Sequence, residues 1–295
     1  MEQHINNRTE ISQQSSELST AIIEKYSELF DRIASSDILP MNENSEWLLE
    51  SLESTINYAF LRYGHASLLV NDGKIYTTLS GGLDSTLAIA FLRNNFPTDE
   101  IITFTMGGSV DHPDVIHARL AAEKFNTTHH EYIPDDKDIN DTLVEYKELY
   151  PSKSLEDMSK SGDTDVYLHN KYISRFQPKV LLANDGIDEL IGGYWDHRRD
   201  CDLSERRTIY TDFWNQLIPK HLEPLIATSD KFGIDLLFPY LDPLVIADIS
   251  RIPLLNRSTT RESKIPLRTI ARRLGVPEEI ITRPKRGQVG MLDRK

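Results

Sequence analysis

Apolar residues recur along the chain with two different periods, and these periods predict alternating strands and helices. Short runs rich in β-forming residues occur at 74–79, 101–106, 127–133 and 180–183. Apolar positions at helical spacing occur at 85–96, 114–125 and 165–176, and again after Asp188. Because two parallel strands need a crossover connection, this alternation is typical of a parallel sheet. The pattern predicts an α/β fold with helices on both faces of a parallel sheet.

Helical patterns also precede and follow this core. Apolar residues recur at helical spacing over 18–33 and 47–61, and beyond Asp200 around 205–221, 241–250 and 264–274. Residues 1–15 are polar and are expected to be disordered. We therefore divide the chain into a helical N-terminal extension, residues 1–45, and a main domain, residues 46–295, that ends in a helical C-terminal part.

Composition narrows the classes of function. The 295 residues include 33 Lys and Arg against 46 Asp and Glu, so the formal net charge is −13. This charge repels polyphosphate backbones, and nucleic acid is therefore not an expected partner. The single cysteine, Cys201, cannot form an internal disulfide, which fits a reducing compartment. With no apolar segment long enough for export or a membrane span, we expect a cytoplasmic protein with no membrane partner.

The segment SGGLDS, residues 80–85, lies where a predicted strand gives way to a predicted helix. Unpaired N–H groups and the helix dipole favour an anion at such a position. Gly81 and Gly82 let the backbone approach a phosphate, and Ser80 and Ser85 add hydroxyl donors. Asp84 would repel a bare phosphate, so it implies Mg²⁺ bound to a triphosphate. The alternative is a glycine turn in which Asp or Ser merely caps a helix. We call residues 80–85 the phosphate loop.

A second group of acids follows the apolar run at 180–183. The sequence ANDGIDE, residues 183–189, places Asp185, Asp188 and Glu189 around Gly186. Ligands gather at the carboxyl ends of parallel strands, which favours a binding role. The helix dipole would stabilise these acids without any ligand, so a structural role is the alternative. We call residues 183–189 the acidic loop.

A pair of histidines and a run of acidic residues are also metal-binding or ligand-binding candidates. His129 and His130 are adjacent on a predicted strand, so their side chains point to opposite faces and cannot share a metal ion. The acidic run at 135–141 is most simply a solvated loop.

The two loops together resemble a known family. SGGLDS is similar to the SGGxDS signature of pyrophosphatase-loop enzymes, and with ANDGIDELIGGY it resembles the synthetase domain of the asparagine synthetase family, which includes β-lactam synthetases. FPYLDPLVIADISRIP at 238–253, KIPLR at 264–268 and RPKRG at 283–287 agree with family segments in the same order. The resemblance covers roughly residues 47–290. It implies an adenine nucleotide α-hydrolase-like fold, with residues 46–295 as an ATP pyrophosphatase domain.

The resemblance implies a ligase that uses ATP and Mg²⁺ to adenylate a small-molecule carboxylate, releases pyrophosphate, and forms an amide with ammonia or an amine. Matching positions assign Asp84 and Asp188 to Mg²⁺. The implied nucleotide-binding residues are Leu79, Ser80, Gly81, Gly82, Asp84, Ser85, Met106 and Lys264.

The resemblance also implies the residues of the chemical steps. Lys285 falls on the family's late lysine, which neutralises charge at the α-phosphate and in the tetrahedral intermediate. Asp185 and Asp235 occupy positions at which the family carries glutamate, and a nearby carboxylate can take a proton from the attacking ammonium. Both are one methylene shorter than glutamate, so the base acts through water or in a narrower pocket.

Several residues depart from the family pattern. Position 2 is Glu2, whereas glutamine-dependent members carry a nucleophilic cysteine there, so we expect ammonia from solution, from a partner glutaminase, or an amine on the substrate. Asn184 replaces a glycine and Leu237 an arginine, so the identity of the acceptor carboxylate stays open.

Two alternative functions compete with this ligase. They are a pyrophosphatase-loop enzyme acting on tRNA and a non-catalytic subunit of an amidotransferase. Absent paired cysteines and the net charge of −13 disfavour the first, and intact Asp84, Asp188 and Lys285 disfavour the second.

Overall fold

The computed structural model describes residues 46–149 and 162–284 of the chain. Within these residues, five strands form one sheet in the order β3-β2-β1-β4-β5, and every pairing is parallel. The strands are β1 (Lys74–Thr78), β2 (Glu100–Met106), β3 (Thr128–Tyr132), β4 (Val180–Leu182) and β5 (Asp235–Leu237). The predicted parallel α/β sheet is confirmed.

Helices connect the strands and make up the C-terminal part of the described chain. The helices are α1 (Glu46–Val70), α2 (Leu83–Asn95), α3 (Pro113–Lys124), α4 (Asp136–Leu149), α5 (Asp163–Ile173), α6 (Ile187–Ile191), α7 (Leu203–Leu217), α8 (Glu223–Lys231), α9 (Pro243–Ser250), α10 (Leu254–Arg257), α11 (Ile265–Arg273) and α12 (Glu278–Thr282). A π-helical turn, Ile218–Leu222, joins α7 to α8. No helix within the described ranges has the length and apolar character needed to cross a membrane.

Helices cover both faces of the sheet, as neighbouring residues of β3 show. Glu131 forms an ion pair with Arg119 of α3, with 2.7 Å between their nearest atoms. The next residue, Tyr132, stacks on Tyr172 of α5 with 4.3 Å between ring centroids. Because successive strand residues point to opposite faces, α3 and α5 lie on opposite sides of the sheet. The predicted three-layer arrangement is therefore confirmed.

The same alternation separates the two adjacent histidines. His129 hydrogen-bonds Thr103 through Nδ1 at 2.8 Å, whereas His130 packs against Phe176, with 4.4 Å between ring centroids. Burial lowers the pKa of His129 to about 4, so its imidazole is neutral. The prediction that the two side chains point to opposite faces of the sheet is confirmed by this geometry.

The long helix α1 is held to the sheet by a buried side chain just beyond its last turn. The Asn71 amide donates to the carbonyl of Val180 at 2.8 Å and to Ser67 Oγ at 2.9 Å. Its Oδ1 accepts from the amides of Lys179, at 2.8 Å, and Val180, at 3.1 Å. Since each buried polar group requires a partner, Asn71 ties the start of β4 to the end of α1.

Two segments differ from the prediction. The acidic run at 135–141 opens α4 rather than forming a loop: Asp135 Oδ1 accepts from the amide of Asp138 at 2.8 Å, and acids in a first helical turn suit the helix dipole. The three-residue strand β5 lies in a part of the chain that was predicted to be mainly helical. Residues 1–45, including the predicted helix over 18–33, lie outside the described residues.

Candidate active site

The phosphate loop and the acidic loop meet where the strand order changes direction. From β1 the chain continues to β2 and β3 on one side, while β4 and β5 lie on the other side. Thr77 of β1 is level with Leu182 of β4, and the Asn184 amide donates to the carbonyl of Thr78 at 2.9 Å. Crevices of open α/β sheets form at such switch points, so the two loops border a candidate active site. Asn184, which replaces a family glycine, joins the ends of the two strands.

The phosphate loop is shaped by its first glycine. Gly81 has a φ of +67°, and an added Cβ would lie 2.5 Å from the Ala118 amide nitrogen. Glycine is therefore required where the loop packs against α3. Ser80 and Ser85 hydroxyls lie 3.1 Å apart, and the Ser80 amide donates to Ser85 Oγ at 3.2 Å. These contacts hold the loop and its hydroxyl groups in place at the start of α2.

Lys264 joins the two loops through its ammonium group. Lys264 Nζ forms ion pairs with Asp84 of the phosphate loop and with Asp188 of the acidic loop, at 2.5 Å from Asp188 Oδ1. The lysine side chain is 6% exposed. Burial alone would lower the pKa of Lys264, but the charges of Asp188 and Asp84 outweigh burial and raise that pKa above its ordinary value. The structure thus brings three predicted site residues together around one positive charge.

The chain beside this group has two consecutive glycines, and the second of them makes room for the group. An added Cβ on Gly193 would lie 1.5 Å from Asp188 Oδ1 and 2.7 Å from Lys264 Cε. Gly192 has a φ of +82°, and its Cβ would lie 2.1 Å from the Tyr210 hydroxyl. The chain therefore passes directly over the Asp188–Lys264 pair, which only glycine permits.

The short helix α6, which carries Asp188 and Glu189 in its first turn, depends on a distant arginine. Arg257 is 2% exposed and donates to the carbonyl of Leu190 at 2.9 Å and to that of Ile252 at 2.7 Å. Burial lowers the pKa of Arg257 to about 10, which keeps it charged near neutral pH. A cation near the C-terminus and acids at the N-terminus both suit the dipole of α6.

His221 is a site residue that the sequence analysis missed. It lies in the π-helical turn, and its Nε2 is 2.7 Å from Asp185 Oδ1. Burial would lower the pKa of His221, but the hydrogen bond and charge of Asp185, with further contributions from Glu189 and Asp188, raise it to about 9. Asp185 and His221 thus form a carboxylate–imidazolium pair beside the acidic loop. Nothing in the periodic pattern of 205–221 singles out this histidine.

Glu189, in the acidic loop, is buried and has a hydrogen-bond partner. It is 4% exposed, and Tyr194 donates its hydroxyl to Glu189 Oε1 at 2.7 Å. Burial, and then the neighbouring charge of Asp188, raise the pKa of Glu189. The acidic loop therefore holds carboxyl groups in unequal environments.

The other residues predicted to belong to the site do not all lie beside the two loops. Leu79 and Met106 are buried at the carboxyl ends of β1 and β2, which adjoin the phosphate loop. Asp235 is the first residue of β5 and is level with Val180, whereas the acidic loop begins beyond Leu182. Its role as a base stays a prediction. Lys285 lies outside the described residues.

The pair Asp84 and Asp188 fits the expected Mg²⁺ by its chemistry. Mg²⁺ takes oxygen ligands, commonly one or two carboxylates together with substrate phosphates and water. Both carboxylates reach the same ammonium group, so one cation between them can contact both. Among the residues that the structure describes, no group of three or more His, Cys, Asp or Glu could hold a metal ion without other ligands. A site completed by phosphate oxygens is consistent with that finding.

A parallel sheet with a glycine-containing loop and two carboxylates at its switch point defines an α/β protein of the kind whose ligands bind at the carboxyl ends of the strands. The chain belongs to the asparagine synthase family, whose sequence model matches residues 64–227 and 202–293. The family predicted from the sequence is confirmed.

Curated relatives are similar to this chain at low identity. Human glutamine-hydrolyzing asparagine synthetase is 25% identical over 231 residues, which cover 74% of this chain and 39% of that protein. A probable asparagine synthetase of Acanthamoeba polyphaga mimivirus is 28% identical over 255 residues, 80% of this chain and 43% of that protein. A putative asparagine synthetase of Methanocaldococcus jannaschii is 26% identical over 127 residues, 43% of this chain and 24% of that protein. The chain thus spans less than half the length of these relatives.

Among solved structures, NMN synthetase from Francisella tularensis is similar at a TM-score of 0.43 and 13% sequence identity, covering 86% of this chain and 79% of that one. That likeness is too weak to carry an argument about function.

Proposed function

We propose that this chain is an ATP-dependent ligase that adenylates a small-molecule carboxylate and then forms an amide with ammonia or an amine, releasing AMP and pyrophosphate. The observation that carries this proposal is the meeting of Asp84 and Asp188 at Lys264, beside the phosphate loop. Membership of the asparagine synthase family supports the same class of reaction.

The first step must bring two anions together, the substrate carboxylate and the α-phosphate of ATP. In the proposed site, Ser80, Ser85 and the backbone amides at the start of α2 donate hydrogen bonds to phosphate oxygens. Lys264 supplies a buried positive charge at the same place. Mg²⁺ held by Asp84 and Asp188 would neutralise phosphate charge. Charges fixed in advance in a buried site stabilise the developing pyrophosphate more than charges in water do.

The second step requires an amine nucleophile that has lost a proton. Asp185 Oδ1 lies 2.7 Å from His221 Nε2, and this pair belongs to the loop that carries Asp188. We therefore favour Asp185 over Asp235 as the proton acceptor, since Asp235 lies level with the other end of β4. Lys285 remains the predicted cation at the tetrahedral intermediate. Ammonia from solution or from a partner glutaminase remains the expected nitrogen source.

Exchange of labelled pyrophosphate into ATP tests the proposal with the full chain. A panel of carboxylates is screened with Mg²⁺, and exchange is expected to depend on both Mg²⁺ and one particular carboxylate. Asp84→Ala should abolish exchange and retain the circular dichroism spectrum of the wild type. Asp141→Ala, at an exposed position in α4, is the matched control and should leave exchange unchanged. Unaltered exchange in Asp84→Ala, or no exchange with any carboxylate, would contradict the proposal.

A further inference from the structure

The phosphate loop has a partner that the mechanism above does not use. Arg283, the residue that follows α12, donates from Nη1 to the carbonyl oxygen of Gly81 at 3.1 Å. The same guanidinium forms an ion pair with Asp114, in the first turn of α3. The Arg283 side chain is 10% exposed and that of Asp114 is 15% exposed. We propose that Arg283 is a positioning residue that sets the backbone of the phosphate loop for the nucleotide's β- and γ-phosphates. This inference rests on the proposed function.

The argument begins with the peptide between Gly81 and Gly82. This peptide has a glycine on each side, so both flanking residues permit wide ranges of φ and ψ. A peptide of that kind can rotate at little steric cost unless another group holds it. Arg283 supplies that group, because it binds the carbonyl oxygen of this peptide.

Fixing the carbonyl also fixes the amide that follows it. In a trans peptide the C=O of Gly81 and the N–H of Gly82 point in opposite directions, and the described residues contain no cis peptide. With the carbonyl turned towards Arg283, the Gly82 N–H points to the other side of the loop, where Ser80 Oγ lies 3.4 Å away. That side also carries the Ser85 hydroxyl and the start of α2, where an anion is favoured.

The charge of Arg283 is a smaller part of its role. Its ion pair with Asp114 neutralises the guanidinium, so the net field at the phosphate loop from this pair is weak. What the guanidinium provides is a planar fork that donates in two directions at once. Lysine would keep the charge but lacks this fork, so we expect Arg283→Lys to retain the ion pair and to lose the contact with Gly81.

The competing explanation is that Arg283 only anchors the end of the described chain on α3. The two explanations differ in which ligand is affected. A misoriented Gly82 amide weakens binding of a nucleotide whose β- and γ-phosphates reach the loop, and leaves AMP binding unchanged. A purely structural anchor lowers stability and affects ATP and AMP alike.

Equilibrium binding of Mg²⁺-ATP and of AMP to the full chain, measured by titration calorimetry, separates these explanations without knowledge of the carboxylate. For Arg283→Lys we expect ATP binding to weaken by roughly ten- to a hundredfold, the usual consequence of losing a hydrogen bond from a charged group, with AMP affinity unchanged. Asp114→Asn removes the ion pair and keeps the donor to Gly81, so it should weaken ATP binding less. Arg272→Lys alters an exposed ion pair with Glu278 and serves as the matched control.

The possible outcomes are distinct. Wild-type ATP affinity in Arg283→Lys would overturn the positioning role and leave the proposed function standing. Equal losses for ATP and AMP, or an equal effect of Asp114→Asn, would overturn it in favour of a structural anchor. If the wild-type chain binds no ATP, the proposed function fails and this inference fails with it.

Discussion

Lys264→Met tests the central interaction of the site, because it removes the ammonium that Asp84 and Asp188 share. The two carboxylate side chains are 16% and 18% exposed, so little water can replace the lost cation. Removing one partner of a buried ion pair costs about 3–5 kcal/mol, since the remaining charge stays desolvated. We expect a loss of that size in the free energy of unfolding when no divalent ion is present.

The same variant should gain a response to Mg²⁺. In the wild type, the Lys264 ammonium already occupies the position between the two acids, so Mg²⁺ without nucleotide should change stability little. In Lys264→Met the two carboxylates can bind Mg²⁺, and a ligand that binds only the folded state raises its stability. Urea denaturation in EDTA and in excess Mg²⁺, followed by circular dichroism, measures both effects.

A lysine in an exposed ion pair provides the control. Lys171 pairs with Glu145 at 2.7 Å, and these side chains are 31% and 41% exposed. Such a pair contributes at most about 1 kcal/mol, so Lys171→Met should lower the free energy of unfolding only slightly. Mg²⁺ should not change the stability of this variant. If Lys264→Met were no more destabilising than Lys171→Met, or if Mg²⁺ failed to restore any stability, the account of a shared cation would be wrong.

Two more predictions concern the neighbourhood of Asp188. Gly193→Ala should displace Asp188 and Lys264, because the added Cβ would lie 1.5 Å from Asp188 Oδ1. We expect the free energy of unfolding to fall by about 1–3 kcal/mol and pyrophosphate exchange to be lost. Wild-type stability together with wild-type exchange would refute the close approach. The pKa of His221 is raised from 6.5 to about 9, so its pairing with Asp185 stabilises the fold fully below pH 6.5, and that stability is lost as pH rises through about 9. His221→Asn should flatten this decline in denaturation midpoints recorded in EDTA, and parallel wild-type and variant curves would count against the pair.

Local pattern was sufficient to predict the strands that carry the site. Strands β1 to β4 lie in short runs rich in β-forming residues, and the phosphate loop follows directly from a strand, two glycines and a helix. The convergence of Asp84 with Asp188 could be expected because parallel strands end at one edge. The acidic opening of α4 was mistaken for a loop because charge density was given more weight than the preference of helix N-termini for Asp.

What the sequence could not show depends on contacts between distant segments. The His221–Asp185 pair joins residues 36 positions apart, and its histidine lies on a helical pattern that shows no other sign of chemistry. Arg283 contacts Gly81 across 202 positions. The RPKRG motif marks Arg283 as notable but does not indicate the carbonyl that it binds. Strand β5 has only three residues, and its charged first residue, Asp235, interrupts the kind of apolar run that marked the equally short β4.

The dependence of α6 on Arg257 has a consequence for the order of folding. A five-residue helix does not persist alone in water, because nucleation costs more than so few hydrogen bonds return. The carbonyl of Leu190 receives its donor from a residue 67 positions later. A nascent chain that has not yet reached α10 therefore lacks this support for the acidic loop. The proposed nucleotide affinity should therefore require the chain as far as α10, and a fragment that ends before Arg257 should lack it.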